Sequence, residues 1–471
     1  DELPLTSADQ WGPRGIAVKL ESQGGSLAQD RSILVWDNGA SVAPVRLTAF
    51  IPVTASAQET AVLAGPRNQE RKESLTRIHS RVLGLLGMAG DGVVVAVDPA
   101  LVEALGVTSA SLEEAARNGG SRSSASEGAP QTPQGGDSSS PSTAEPSANA
   151  GPSPKSSAPP SPSASATATS PPTKTPDDVT QLSAALVRAI GTGSLVALPW
   201  GDSDTAALAH LQQTSLIETA AQRTRESAIV KAGAPASLAW PASSITDSAT
   251  VDVLPQSTST IIASPTSLPV ADELTYTPSG LGALGDRAVL LPEQSLSEAL
   301  ASRTPEVGTA DQAQQAAPST QIPQAAELDT RQLLRGDSAI LTRQAPALER
   351  DIVVAMPRQA ASSADPTALQ ERVDALHSTS WAQPQSLSAL EEHARAEVEA
   401  VDEGTSGIER SEPPDRVTDN DELPTATLAA AASTASTLQS VSSVLSDPAA
   451  LLGEYTNLEA VVSSATWRAK P

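Results

Sequence analysis

Short uninterrupted apolar runs recur along the chain, each closed by proline and most followed by a polar stretch with helical spacing. They read VRLTAFIPV (Val45–Val53), GVVVAVDP (Gly92–Pro99), GSLVALP (Gly193–Pro199), ASLAWPASS (Ala236–Ser244), STIIASP (Ser259–Pro265), RAVLLP (Arg287–Pro292) and RDIVVAMPRQ (Arg350–Gln359). Between them lie helical patterns: Glu70–Leu86, with Leu75, Ile78, Val82 and Leu86 on one face, then Val179–Ile190, Ile217–Ala232 and Ala325–Leu348. Runs without polar alternation predict strands covered on both faces. Their alternation with helices predicts right-handed crossovers and a parallel sheet. Seven such units favour an α/β fold of the closed or nearly closed (β/α) barrel type over an open doubly wound sheet. No Gly-rich phosphate loop follows any of these strands, which weakens the nucleotide-binding alternative.

The same patterning sets boundaries. Residues 1–40, with alternating segments at Gly15–Ser22 and Ser32–Asp37, are expected to be the end of an N-terminal β domain. Residues 41–360 form the barrel domain. It is interrupted at 118–176 by a Ser/Pro/Ala-rich insertion that lacks the apolar residues to offset ordering entropy and is expected to be a disordered spacer. Residues 361–471 read as a helical region, with helices at Pro366–His377, Ser386–Glu403, Thr425–Leu445 and Asp447–Ser464 around an acidic loop, Gly404–Pro424.

Composition narrows the chemistry. With six Trp, two Tyr and one Phe, the core must be aliphatic. A net charge of −25 without a Lys/Arg cluster argues against nucleic acid and against an anionic membrane surface. The absence of cysteine excludes disulfides, thiolate metal sites and Cys nucleophiles. No apolar run approaches the roughly 18 residues that span a bilayer. The chain also begins without Met or a signal peptide, so it is expected to be a mature or excised piece, attached to a membrane only through a segment outside it.

In a parallel barrel the chemistry sits at the carboxyl ends of the strands. Those positions hold Asp98, Trp200, Asp202, Asp204, Trp240, Tyr276, Glu293 and Arg358. Aromatic faces with carboxylates and a guanidinium suit a sugar ligand. Each acid also has a plainer role. Asp98 and Glu293 stand where a helix begins, Asp202 and Asp204 precede another, and Arg358 is placed to neutralise an acid across the mouth. The four histidines, His79, His210, His377 and His393, show no ligand-pair spacing, so no metal or cofactor is expected. No catalytic set can be named. The one carboxylate pair open to a hydrolase is Asp98 with Asp202 or Asp204.

The segments WGPRGIAV, VVVAVDPALVEAL, SLVALPWGDSDTAALAH, SLAWP, YTPS, IVVAMPR and SSATWR together resemble a domain-of-unknown-function family of large actinobacterial exported proteins. That family is anchored by a C-terminal transmembrane helix and commonly encoded beside the MviN/MurJ-type lipid II flippase. The strand run is also loosely similar to the barrel of NodB-type polysaccharide deacetylases. The resemblance implies an extracytoplasmic, membrane-associated, non-catalytic binding or scaffolding protein of peptidoglycan assembly. Its expected partners are the flippase or another wall-synthesis membrane protein, and a glycan. The alternative is a carbohydrate-active hydrolase or deacetylase-like enzyme acting on cell-wall glycan.

Overall fold

The computed structural model describes residues 11–22, 25–65, 69–123, 177–271, 273–302, 323–447, 452 and 461–468. The chain is a mixed α/β protein with parallel sheets. It opens with an antiparallel hairpin of β1 (Gly12–Ser22) and β2 (Gly25–Trp36), paired from Gly12↔Trp36 to Ser22↔Gly25 with a register shift between Leu20 and Glu21. Next come β3 (Val45–Val53), α1 (Ala57–Ala64), α2 (Gln69–Gly87), β4 (Val93–Val97), α3 (Pro99–Ala104) and α4 (Ser109–Ser123). The chain continues through α5 (Asp177–Gly191), β5 (Leu195–Ala197), α6 (Thr205–His210), α7 (Thr214–Glu226), α8 (Ala228–Lys231), β6 (Leu238–Ala239) and α9 (Ser248–Asp252). Then follow β7 (Thr260–Ile262), β8 (Leu281–Leu284), β9 (Arg287–Leu290), α10 (Gln294–Leu300), α11 (Pro323–Gln344) and β10 (Asp351–Ala355). The last elements are α12 (Arg358–Ser363), α13 (Pro366–His377), β11 (Ala382–Pro384), α14 (Leu387–Asp402) and α15 (Thr425–Ser442).

The strands form two sheets beyond the hairpin. One runs β10-β3-β4-β5, all parallel, with β11 added beside the first residues of β3. The other runs β6-β7-β9-β8, parallel except for the β8/β9 hairpin, whose two-residue turn places Gly285 at φ +59. All seven strands read from the apolar runs are present, whereas β8 and β11 have no such run and were not anticipated.

The closed barrel expected from the strand count is not what the ladders draw: among the described residues no sheet closes. Between β5 and β6 a backbone bond runs from Ala197 N–H to the Pro235 carbonyl at 2.8 Å. Between the second sheet and β10, Gly280 N–H donates to Asp351 O at 2.7 Å and Glu293 N–H to Val353 O at 2.8 Å. Proline explains the seams. Pro235 and Pro241 flank the two-residue β6, and Pro278 and Pro292 stand where β8 and β9 approach β10. None of them has an N–H to give to a ladder.

Side-chain packing bridges what the hydrogen bonds leave open. Phe50, Val94, Ala96, Val196 and Leu198 of the first sheet share one buried cluster with Leu238, Ile262 and Leu290 of the second. Leu387, Leu390 and Ala394 of α14 complete it. The alternate residues, such as Leu47, Ile51, Val95, Leu195 and Val354, pack outward against helices. Strands buried on both faces are the reason their sequence shows no polar alternation. The β1–β2 hairpin lies on α11, where a Cβ on Gly336 would come within 2.7 Å of Ile33, so only glycine admits that approach. At its base Trp11 meets Trp381 edge-on, with centroids 5.7 Å apart.

Most of the 118–176 insertion, residues 303–322 and most of the Asp447–Ser464 helix lie outside the described residues. Within the insertion's expected span, α4 continues as helix to Ser123.

Candidate functional site

Four strand ends converge. Asp98 follows β4, Trp200 and Asp202 follow β5, Trp240 follows β6, and Arg358 opens α12 after β10. Asp98 is the N-cap of α3, accepting from Ala100 N–H, and its Oδ1 also accepts from Gly201 N–H, each at 2.9 Å. That second bond ties the β4 and β5 loops together. To present it, Gly201 and Asp202 both take left-handed backbone, φ +70 and +46. For Asp202, a residue with a Cβ, this conformation is strained by about 1–2 kcal/mol.

The compensation is an ion pair. Arg358 Nε–H is shared between Asp202 Oδ1 at 2.9 Å and Oδ2 at 2.7 Å, and its Nη2 donates to the Trp240 carbonyl. The guanidinium carbon lies 4.9 Å from the centre of the Trp240 ring, a cation–π geometry. Trp240 in turn meets Phe50 edge-on at 6.5 Å. Trp200 is held by its N–H to Thr224 Oγ1 at 2.8 Å and by Arg223 over its ring at 5.2 Å.

Asp98 and Asp202 are 5% and 3% exposed, so neither faces an open cleft. Burial, and then the charge of Asp202, pushes the Asp98 carboxyl up to about 7, against the pull of its backbone N–H donors. Among the described residues, Arg358 Nη1 and the indole N–H groups of Trp200 and Trp240 have no protein acceptor.

Three of the expected residues, Asp204, Tyr276 and Glu293, go elsewhere. Asp204 is fully buried, caps α6 through Ala207 N–H at 3.2 Å, and pairs with Arg468 Nη1 at 2.8 Å. Tyr276 stacks on Arg350 at 5.8 Å, at the amino end of β10 and therefore away from Arg358. Beside it Asp351 accepts from Arg46, His393 and Gln385; burial works to raise its carboxyl, but these bonds outweigh it and hold it low. Glu293 is the N-cap of α10, bonded to Leu296 N–H at 2.6 Å, and burial raises its carboxyl.

The sequence reading missed a second polar centre around Asp204. Arg468 bridges Asp204 and Asp419, at 2.8 and 2.7 Å. Next to it, His210 places Nε2 2.8 Å from Asp247 and Nδ1 2.8 Å from Glu422. Carboxylates only accept, so both contacts are hydrogen bonds when both ring nitrogens carry protons. Burial works to raise Asp247, yet Thr250, the Val417 N–H and His210 hold it below the usual carboxylate range. These partners are separated by up to 264 residues, and no local pattern announces them. The direct contacts leave no space for an ion, and among the described residues no group of three or more His, Cys, Asp or Glu is arranged to hold a metal.

The site is thus defined by strand-end acids already engaged in caps and ion pairs, in an α/β protein of two linked sheets. Over residues 1–471 the sequence matches a family of unknown function, DUF6049, and the chain belongs to that family. None of the curated proteins compared with it matches.

Proposed function

We propose that the protein is an extracytoplasmic, non-catalytic binding or scaffolding component of peptidoglycan assembly that works beside the lipid II flippase. The observation that carries the non-catalytic part is the state of the carboxylates. Asp98, Asp202 and Asp204 are each bonded within the protein and nearly inaccessible, so no pair flanks a space for a scissile bond. What is left to a ligand is donor chemistry: Arg358 Nη1 and two indole N–H groups, suited to the hydroxyl and carboxylate oxygens of a wall glycan. The envelope location, the actinobacterial origin and the flippase partnership rest on the sequence resemblance. On the same reading the two sheets are one interrupted barrel, related at the level of fold to the NodB-type deacetylases, which would account for a core shared by eight strands and closed by none.

The test is retention of the purified protein on wall glycan and on the detergent-solubilised flippase, comparing wild type with Trp240→Ala. Glycan binding weakened by the substitution, together with flippase capture, supports the proposal; loss of both interactions in wild type refutes it. The enzyme alternative is checked by incubating wild type and Asp202→Ala with peptidoglycan fragments. Turnover by wild type that Asp202→Ala lacks would replace the scaffolding reading.

A further inference from the structure

Where β5 and β6 fail to form a ladder, a pocket opens on the outer side of the β5 loop. Its walls are apolar, built from Pro199, Ile217, Leu238 and Leu254. The enclosed space is about 50 Å³, room for roughly four non-hydrogen atoms at about 10–15 Å³ each. Ser203, Thr205, Thr224, Arg225, Ser257 and Thr258 supply its polar lining, and neither the Ser203 hydroxyl nor the Arg225 guanidinium has a partner among the described residues. Ser203 is 8% exposed, and its buried Oγ has no hydrogen-bond partner. An orphaned buried hydroxyl costs about 1–3 kcal/mol, which a ligand atom would recover. Arg225, exposed in the last turn of α7, has no ion pair among the described residues, in a chain whose net charge is −25.

We infer that this pocket binds a small amphipathic carboxylate. Its short branched aliphatic body fills the apolar walls, a hydroxyl or amide near the carboxylate bonds Ser203 Oγ, and the anionic end meets the Arg225 guanidinium. The inference does not depend on the envelope reading, because every group in it is outside the Asp98–Asp202–Arg358 cluster. A free hydroxy acid and the carboxyl end of a peptide present the same chemistry.

Ligand-observed NMR titration of the whole chain tests it, using 2-hydroxyisobutyrate as the free-acid probe and N-acetylalanine as the peptide-end probe; the tighter binder names the source. Isobutyrate and 2-hydroxyisobutyramide serve as controls lacking the hydroxyl and the charge. Saturable binding of at least one carboxylate probe is expected, weakened about tenfold or more by Arg225→Gln. Ser203→Ala should reduce 2-hydroxyisobutyrate to the affinity of isobutyrate while unfolding at the same denaturant concentration or higher, since it removes an unsatisfied group. No saturable binding of either probe at millimolar concentration, or unchanged affinity in either variant, overturns the inference.

Discussion

Asp98→Asn should stabilise the protein, and by an amount that depends on pH. The carboxyl titrates at about 7 in the folded chain against an ordinary 3.8. Between those values the folded state keeps a proton that the unfolded state has lost, so wild-type stability falls as pH rises through the window. Below about pH 4 both states are protonated and the group contributes nothing; above about pH 7 both are ionised and the penalty is complete. At about 1.4 kcal/mol per pH unit, the gap amounts to about 4 kcal/mol. Asparagine caps helices as well as aspartate does and retains an oxygen for Ala100 and Gly201 N–H. Its amide can also donate toward Asp202, where the carboxylate repels. Urea unfolding of both proteins from pH 3.5 to 8 should therefore show no difference at the acid end and a gain for the variant that grows to about 2–4 kcal/mol near pH 8. A difference independent of pH, or a variant less stable throughout, would refute the assignment of Asp98 as a buried acid disfavoured when charged.

Three further outcomes follow from the same contacts. Arg358→Ala leaves Asp202 buried without its cation and should cost about 3–5 kcal/mol; a double-mutant cycle with Asp202→Ala measures the coupling, and a value near zero would mean the pair is incidental. Arg468→Ala orphans Asp204 and frees the segment that carries Trp467, so unfolding should move to lower denaturant and the tryptophan emission should shift to the red. Phe50→Ala empties the space shared by both sheets and should cost about 3–5 kcal/mol, against less than about 1.5 for Phe50→Leu, as read by chemical denaturation.

The strands were legible because burial on both faces writes a continuous apolar run, as in Val93–Val97 and Ile352–Val354. The helix starts were legible because caps are local: Asp98, Asp204 and Glu293 each bond an N–H two or three residues onward. Long-range pairing was legible only in part. Arg358 was placed to neutralise an acid across the mouth, and Asp202 is that acid, but nothing near His210 announces Asp247 and Glu422, since ion pairs carry no sequence period. Tyr276 was misplaced for a related reason. It was assigned to a strand's carboxyl end, but β8 returns antiparallel after it and brings it to the amino end of β10. β8 (LGAL), broken by glycine, and β11 (AQP), with Gln and Pro, carry no continuous apolar run and so do not stand out.

Proline links the two findings. The residues that mark the strand ends in the sequence also remove the donors that would zip β5 to β6 and β9 to β10. A ladder that cannot zip leaves its strands splayed, and cavities open at both seams: one beside Pro199, Pro255 and Leu238, the other, of about 270 Å³, beside Pro278, Pro292 and Val353. In the second, the three donor nitrogens of Arg410 are given to the carbonyls of Leu268, Ser279 and Leu281, and Glu293 is engaged as a cap. The first keeps Ser203 Oγ and Arg225 unspent. Chemistry in this fold is therefore to be sought at the β5/β6 seam as well as at the strand ends, where the acids that first drew attention hold loops together.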